Sequence, residues 1–298
     1  MKYSEIGQSG LRVSEISFGC MSLGTDHELS NRMLYKALEQ GINLFDTADL
    51  YEKGQNEMLV GRAFLGIRQQ VVLATKVGNE WRKDGKGWDW NPTKKYILRA
   101  VEQSLKRLQT DYIDLYQLHG GAMEDPIDET IEAFEVLKEE GKIRAYGISS
   151  IRPSVIREYV KRSNIASVMM QYSLLDRRPE ESCLNLLQEN KIRVLARGSL
   201  AKGLLINKPA VPFLNYTESE VTKAAQTIQR VADDNRTPTA VAIRYALHHP
   251  VVASAVVGLR TEDQLAAAIE AGKSFPLDQK EIQQLQAAIP SNTYQEHR

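Results

Sequence analysis

The chain has little sulfur chemistry available to it. Its two cysteines, Cys20 and Cys183, stand far apart and in no CxxC arrangement. Neither a disulfide framework nor a structural zinc site follows from them, and both read as small core residues. Histidine is scarce as well. Of His27, His119, His248, His249 and His297, only His119 falls at the end of a strand pattern. A metal-dependent barrel hydrolase or isomerase needs clustered histidines and carboxylates at strand ends, so that class is disfavoured and no metal is expected. There is no excess of charge: 38 basic residues face 38 acidic ones, which argues against nucleic acid or an anionic membrane as the main partner. Long apolar runs are missing too. None could span a bilayer, and Met1-Lys2-Tyr3-Ser4-Glu5 lacks the apolar core of a signal peptide, so a cytoplasmic location is expected. No composition shift, low-complexity segment or fixed-length repeat divides the chain. A single domain over 1–298 is expected and a solenoid is not.

What is present is an ordinary globular composition, 42% apolar and 26% charged, arranged in a regular order. Residues 2–15 alternate around Gly7-Gln8-Ser9-Gly10, which predicts a β-hairpin. Eight short apolar runs follow, near Ile16–Phe18, Ile42–Phe45, Val71–Thr75, Tyr112–Leu118, Ile143–Ile148, Val168–Gln171, Arg193–Ala196 and Val252–Val256. Between them lie amphipathic stretches over Arg32–Gln40, Glu57–Phe64, Thr93–Leu108, Glu129–Glu140, Pro153–Lys161, Pro179–Asn190 and Ser219–Leu247. The last should break at Arg236-Thr237-Pro238, where Thr237 can cap a helix that has Pro238 at its first position. Gly41 and Gly141 read as C-cap glycines. Strict alternation of strand and helix implies a parallel sheet with helices outside it. Eight units in this length predict a closed α/β barrel, a (β/α)8 TIM barrel with an N-terminal β-hairpin, and chemistry at the C-terminal ends of its strands.

Those ends read Gly19, Asp46, Lys76, His119, Ser149-Ser150, Gln171, Arg197 and Gly258. The most informative stretch is Asn43-Leu44-Phe45-Asp46-Thr47-Ala48-Asp49-Leu50-Tyr51, a buried strand that ends on ionisable groups. Singly, each group has a structural explanation. Asp46 could cap the next helix, Tyr51 could be a half-buried aromatic, Lys76 a surface lysine and His119 a turn histidine. Together, at the tips of the second, third and fourth strands, they suggest a tuned acid. A phenol is a weak acid near neutrality, and a nearby ammonium lowers its pKa. Lys76 can serve that role, with Asp46 holding Lys76 charged and His119 bonding the phenol or a substrate oxygen. Tyr51 would then protonate a carbonyl oxygen as hydride reaches the carbon.

Three segments in order, Asp46-Thr47-Ala48 with Tyr51, Ala74-Thr75-Lys76 and Leu115-Tyr116-Gln117-Leu118-His119, resemble the aldo-keto reductase family. So do Tyr146-Gly147-Ile148-Ser149, Gln171-Tyr172-Ser173 and Gly203-Leu204-Leu205. The resemblance covers essentially the whole chain and looks nearest to bacterial members and the potassium-channel β-subunit-like branch. It implies a catalytic tetrad of Asp46, Tyr51, Lys76 and His119. It also implies NADP(H) bound without a Rossmann domain, and no GxGxxG occurs in the chain. Carried over by position, Ser149 and Gln171 hold the nicotinamide carboxamide, and Gly19 and Met21 line the site. Gly198-Ser199-Leu200-Ala201-Lys202-Gly203 wraps the pyrophosphate. Leu204-Leu205 stand where a P-loop needs Lys and Ser/Thr, so an NTPase is rejected. Gly258, Arg260, Thr261 and Gln264 fall at the adenosine end, with the planar fork of Arg260 suited to a 2′-phosphate.

The chain departs from the family pattern at four places. Ser150 replaces a common Asn, and Arg197 replaces an aromatic that stacks on the nicotinamide. Gln264 stands in place of an Arg, and Ala267-Ala268 in place of a Glu-Asn pair. The loop over residues 78–90 carries all three tryptophans, of which Trp81 and Trp88 are candidates for lining the mouth against a small-molecule carbonyl substrate. The implied activity is NADPH-dependent reduction of aldehydes or ketones. The alternative is an NADP(H)-binding regulatory or redox-sensing module with slow turnover.

Overall fold

The computed structural model describes residues 1–24 and 26–298. The chain opens with an antiparallel hairpin, β1 (Tyr3–Glu5) and β2 (Arg12–Ser14), paired from Tyr3↔Ser14 to Glu5↔Arg12. The first barrel strand, β3 (Ile16–Gly19), precedes α1 (His27–Glu39). Then come β4 (Leu44–Asp46), α2 (Gln55–Ala63) and β5 (Val72–Val77). A second hairpin, β6 (Asn79–Trp81) with β7 (Trp88–Trp90), leads into α3 (Lys94–Leu108). The alternation continues through β8 (Ile113–Leu118), α4 (Ile127–Glu139), β9 (Ile143–Ser149), α5 (Pro153–Arg162) and β10 (Ser167–Gln171). It ends with α6 (Cys183–Glu189), β11 (Arg193–Arg197), α7 (Glu218–Val231), α8 (Pro238–Ala246) and β12 (Val252–Gly258). Two helices follow, α9 (Glu262–Lys273) and α10 (Gln279–Gln286).

Eight parallel strands close into a barrel in the order β10-β11-β12-β3-β4-β5-β8-β9. Closure removes the edges that an open sheet would leave unpaired. The barrel interior is a separate apolar cluster. In it Leu44, Ala74, Leu115, Ala145, Met169 and Leu195 meet Ile6, Leu11 and Val13 of the first hairpin. That hairpin therefore plugs the N-terminal end, and access is left at the C-terminal end. Successive strand residues alternate in direction. Two positions beyond Leu44, Ala74, Leu115, Met169 and Leu195, on the same side of their strands, lie Asp46, Lys76, Gln117, Gln171 and Arg197, toward the open mouth. The polar groups there follow from strand periodicity.

The plugged end is held by charge pairs around two buried carboxylates, Asp114 and Glu15. Asp114 takes Arg68 at 2.6 Å, Arg144 at 2.8 Å and the Leu73 amide at 2.9 Å. Glu15 takes Arg244 at 2.8 Å. Such charges at this end of a barrel serve stability.

The eight predicted strands all form, and the predicted break falls where Thr237 caps α8, accepting from the Ala240 amide, with Pro238 at the first turn. Gly41 and Gly141 take left-handed φ of 90° and 72° after α1 and α4. Cys20 and Cys183 are buried and free. Three expectations need correction. First, α1 starts at His27, five residues earlier than predicted, because Asp26 accepts from the Leu29 amide and caps a polar first turn that shows no apolar period. Second, α6 is only seven residues long. Pro179 lies in a separate short 3-10 turn, Arg178–Glu181, and Ser182 breaks it from the helix with φ −156°. Third, the residue 78–90 loop is a hairpin, its strands paired from Asn79↔Trp90 to Trp81↔Trp88.

Among the described residues, no helix is long and apolar enough to cross a membrane.

Candidate active site

The centre of the mouth is the Lys76 ammonium, on a side chain that is 1% exposed. It has three hydrogens and three acceptors. They are Asp46 Oδ2 at 2.7 Å, the Thr47 carbonyl at 2.7 Å and Tyr51 Oη at 3.3 Å. Burial disfavours the ammonium, but attraction to Asp46 and Tyr51 outweighs it, so the Lys76 pKa is raised and the group stays charged. Asp46 is fixed from its other side by Gln117 Nε2 at 3.4 Å. Burial holds its carboxyl above the ordinary value, against the pull of Lys76. A buried charge without this partnering would be costly, which is why the two occur as a pair.

Tyr51 sits in a 3-10 turn, Tyr51–Gly54, between β4 and α2. Because Lys76 donates to its oxygen, the phenol keeps its own hydrogen free to donate elsewhere. Its pKa is not lowered as the sequence suggests. Burial raises it, and the charges of Lys76 and Arg197 offset this only in part. Tyr51 is thus a neutral phenol at neutral pH, the form an acid requires.

His119 follows β8, its amide bonded to the Val77 carbonyl at 2.7 Å. Its ring stands edge-on to Tyr51, with centroids 5.9 Å apart. Burial, Lys76 and Arg197 push its pKa down to about 3. The imidazole is therefore neutral, and its Nδ1 is buried without a protein partner. The structure brings together all four residues of the expected tetrad.

Around this centre, Ser149 and Gln171 end neighbouring strands β9 and β10. Arg197 Nη1 donates to Gln171 Oε1 at 3.1 Å. Gly198 has φ 75°, and a Cβ there would lie 3.2 Å from Gln171 Cγ, so the glycine lets the backbone pass close to that side chain. Ser150 is buried, and its hydroxyl accepts from the Arg152 amide at 3.2 Å. Ser199 and Leu200 lead into Ala201, Lys202 and Gly203, which all have positive φ, of 46°, 59° and 94°. Gly19 and Gly258 are register partners on β3 and β12, and Met21 beside them is 62% exposed.

Thr261 caps α9, and Gln264 reaches back to the Arg260 amide at 2.8 Å. The Gln264 oxygen thereby closes the helix start. Glu262 turns to Lys36 at 3.2 Å and Arg32 at 3.9 Å, and among the described residues no carboxylate pairs with Arg260.

The tryptophans divide. Trp81 is half-buried, with the Lys53 ammonium 5.2 Å from its ring centroid. Trp88 is 46% exposed. Trp90 packs on the backbone just beyond Lys76 and His119. Its ring lies against Gly78 and Gly120, where an added Cβ would come to 2.5 and 3.2 Å, and its Nε1 donates to Asp125 at 2.8 Å. Sequence reading did not single it out. The signal was a glycine within two residues of each of two strand ends, Gly78 after β5 and Gly120 after β8, leaving room for a large ring. Gln117 and the Thr47 carbonyl were missed as well. Gln117 is two residues before His119 on a strand, so the period-2 rule points to it.

Among the described residues, no group of three or more His, Cys, Asp or Glu side chains lies together as a metal site.

The description "Aldo/keto reductase family" matches residues 15–290. The chain belongs to the aldo/keto reductase family. It is 50% identical over 307 aligned positions to "Uncharacterized oxidoreductase YqkF" of Bacillus subtilis, covering all of both chains. It is 33% identical to the "NADH-specific methylglyoxal reductase" of Escherichia coli, over 69% of each chain. The holo form of aldo-keto reductase AKR11C1 from Bacillus halodurans superposes with a TM-score of 0.94 at 51% identity, covering 100% of this chain and 99% of that one. Its apo form gives 0.87 over the same shares. This aldo/keto reductase thus has the backbone arrangement of the holo form more nearly than that of the apo form. The family is one of oxidoreductases that generally bind a nicotinamide cofactor and act on small carbonyl compounds. These bacterial relatives do not support the channel β-subunit part of the resemblance.

Proposed function

We propose that this protein reduces aldehydes or ketones to alcohols with NADPH, using Tyr51 as the general acid. One observation carries the reading. Lys76 spends its third hydrogen on Tyr51 Oη at 3.3 Å, which leaves the phenol hydrogen for a substrate. A carbonyl oxygen placed between Tyr51 and His119 meets two neutral groups. Tyr51 gives up its proton, and the phenolate left behind is stabilised by Lys76. His119 stays neutral and orients the oxygen.

The surroundings fit a nicotinamide cofactor. His119 Nδ1 and Gln117 Oε1 are buried and unpartnered, Gly198, Ala201, Lys202 and Gly203 hold left-handed backbone, and among the described residues Arg260 has no carboxylate partner. Ser149, Gln171 and Arg197 would hold the nicotinamide end, with Gly19, Met21 and Ser150 beside it. Gly198, Ser199, Leu200, Ala201, Lys202 and Gly203 would hold the pyrophosphate. Gly258, Arg260, Thr261 and Gln264 would hold the adenosine end, with Arg260 on the 2′-phosphate. When bound, the cofactor supplies hydride to the carbonyl carbon. Trp81 and Trp90 would line the approach, while Trp88 is the more solvent-facing of the hairpin tryptophans.

One relative is named NADH-specific, so the cofactor choice is the first thing to test. Consumption of reduced cofactor against a reactive aromatic aldehyde is measured with NADPH and with NADH. Much faster turnover with NADPH supports the full reading. Equal rates remove the phosphate role of Arg260. Tight NADPH binding without turnover favours a redox-sensing module instead.

A further inference from the structure

The turn that presents Tyr51 has an unfavourable shape. Glu52, Lys53 and Gly54 have φ of 47°, 53° and 84°, three consecutive left-handed residues of which two carry side chains. Such a turn persists only if its surroundings hold it, and the structure shows what does. A Cβ at Gly54 would lie 2.7 Å from Arg107 Cδ and 2.8 Å from Arg107 Nε, so the arginine stem fills the space directly against the turn. Arg107 is itself fixed. Its Nε donates to Glu57 Oε2 at 2.6 Å and its Nη2 to Ser104 Oγ at 3.2 Å. Glu57 is fully buried on the first turn of α2, and its other oxygen accepts from Thr75 Oγ1 at 2.6 Å. Thr75 is the residue before Lys76. One carboxylate therefore joins the strand that carries Lys76 to the arginine packed under the turn that carries Tyr51. The neighbouring Asn56 adds a second tie, accepting from Thr47 Oγ1 at 2.6 Å and donating to the Cys20 carbonyl at 2.8 Å.

We propose that the Glu57–Arg107 pair is a positioning device for catalysis: it sets the Tyr51 hydroxyl at bonding distance from Lys76. The inference rests on Tyr51 being the proton donor. Neither member of the pair bonds to the tetrad directly. The Lys76–Tyr51 contact is 3.3 Å, already at the long end for a hydrogen bond, so a small relaxation of the turn breaks it. The pair thus acts on the chemical step and leaves the cofactor residues on β9, β10 and β11 untouched.

The test compares Arg107→Met, and the charge-neutral combination Glu57→Gln with Arg107→Met, each in the native chain and in a Tyr51→Phe background. For each, kcat and KM for an aromatic aldehyde are measured with NADPH, and NADPH binding is followed by protein fluorescence. The expected result is a kcat loss of roughly tenfold or more, with KM and Kd within about twofold. In the Tyr51→Phe background the same substitutions change the residual kcat by less than about twofold, because the residue they act through is gone. Unchanged kcat, or an equal loss in both backgrounds, overturns the proposal while leaving Tyr51 as the acid. Near-normal turnover in Tyr51→Phe alone overturns the tyrosine reading and this one with it. If the Arg107 variants do not fold, Gly54→Ala applies the same pressure from the other side. Its Cβ displaces the arginine, and the same kcat loss, dependent on Tyr51, is expected. Wild-type kcat in a folded Gly54→Ala protein contradicts the proposal.

Discussion

Replacing Lys76 by methionine tests the electrostatics of the site apart from its chemistry. Lys76 and Asp46 form a buried pair with side-chain exposures of 1% and 6%. Removing the ammonium leaves Asp46 with Gln117 as its remaining side-chain partner, at 3.4 Å, and leaves the Thr47 carbonyl without its donor. A buried carboxylate so stranded takes up a proton. Its folded pKa then lies far above its unfolded value of about 3.9, so the folded state binds more protons than the unfolded one above that pH. Stability falls as pH rises. Holding the group protonated at pH 7 costs about 4 kcal/mol, and at pH 5 about 1.5 kcal/mol. The loss relative to wild type is therefore expected at about 3–5 kcal/mol at pH 7, in the range for breaking a buried pair, and it should shrink by more than half at pH 5. Urea unfolding at the two pH values measures it through the midpoint at constant slope. Pairing the change with Asp46→Asn should restore most of the stability at pH 7 without restoring turnover. A loss that is absent at pH 7, or the same at both pH values, refutes the reasoning.

Two further predictions use other parts of the structure. His119 has its pKa pushed down to about 3, below its ordinary 6.5, so the unfolded chain binds more protons between those values. Stability from this group is complete above pH 6.5 and declines as pH falls. Wild type should lose about 2 kcal/mol between pH 7 and 5 that His119→Asn does not lose, and equal declines in denaturant titrations would contradict this. Gly61 lies on α2 where a Cβ would come within 2.5 Å of the Leu108 backbone. Alanine there gains about 1 kcal/mol in helix propensity. The clash with rigid backbone should outweigh that, giving a net loss of about 1–3 kcal/mol and a lower melting temperature, and a rise would show that the helices can part.

Much of the fold and the tetrad was legible in the sequence because each depends on short-range signals. Asp46 closes β4, Lys76 lies one residue before the end of β5 and His119 directly follows β8, all within a residue of where the sequence puts the strand ends, and Thr237-Pro238 marks a helix start on its own. What could not be read depends on distance. Glu57 and Arg107 are 50 residues apart, and no local pattern links them. The pKa of Tyr51 was expected in the wrong direction because the ammonium is visible in sequence and the desolvation is not. The hairpin under the tryptophans was hidden by the Lys, Asp and Gly residues at its tip, which read as a loop. Gln264 was expected at the adenosine end, but its side chain also closes the start of α9 by bonding the Arg260 amide.

The central claim is that a neutral Tyr51, held by Lys76, gives its proton to a carbonyl oxygen. The most direct test is Tyr51→Phe, assayed for NADPH consumption with an aromatic aldehyde alongside NADPH binding. Binding within about twofold of wild type is expected, with turnover reduced by about a hundredfold or more, the usual scale for removing a general acid. Turnover close to wild type, with cofactor binding intact, would contradict it.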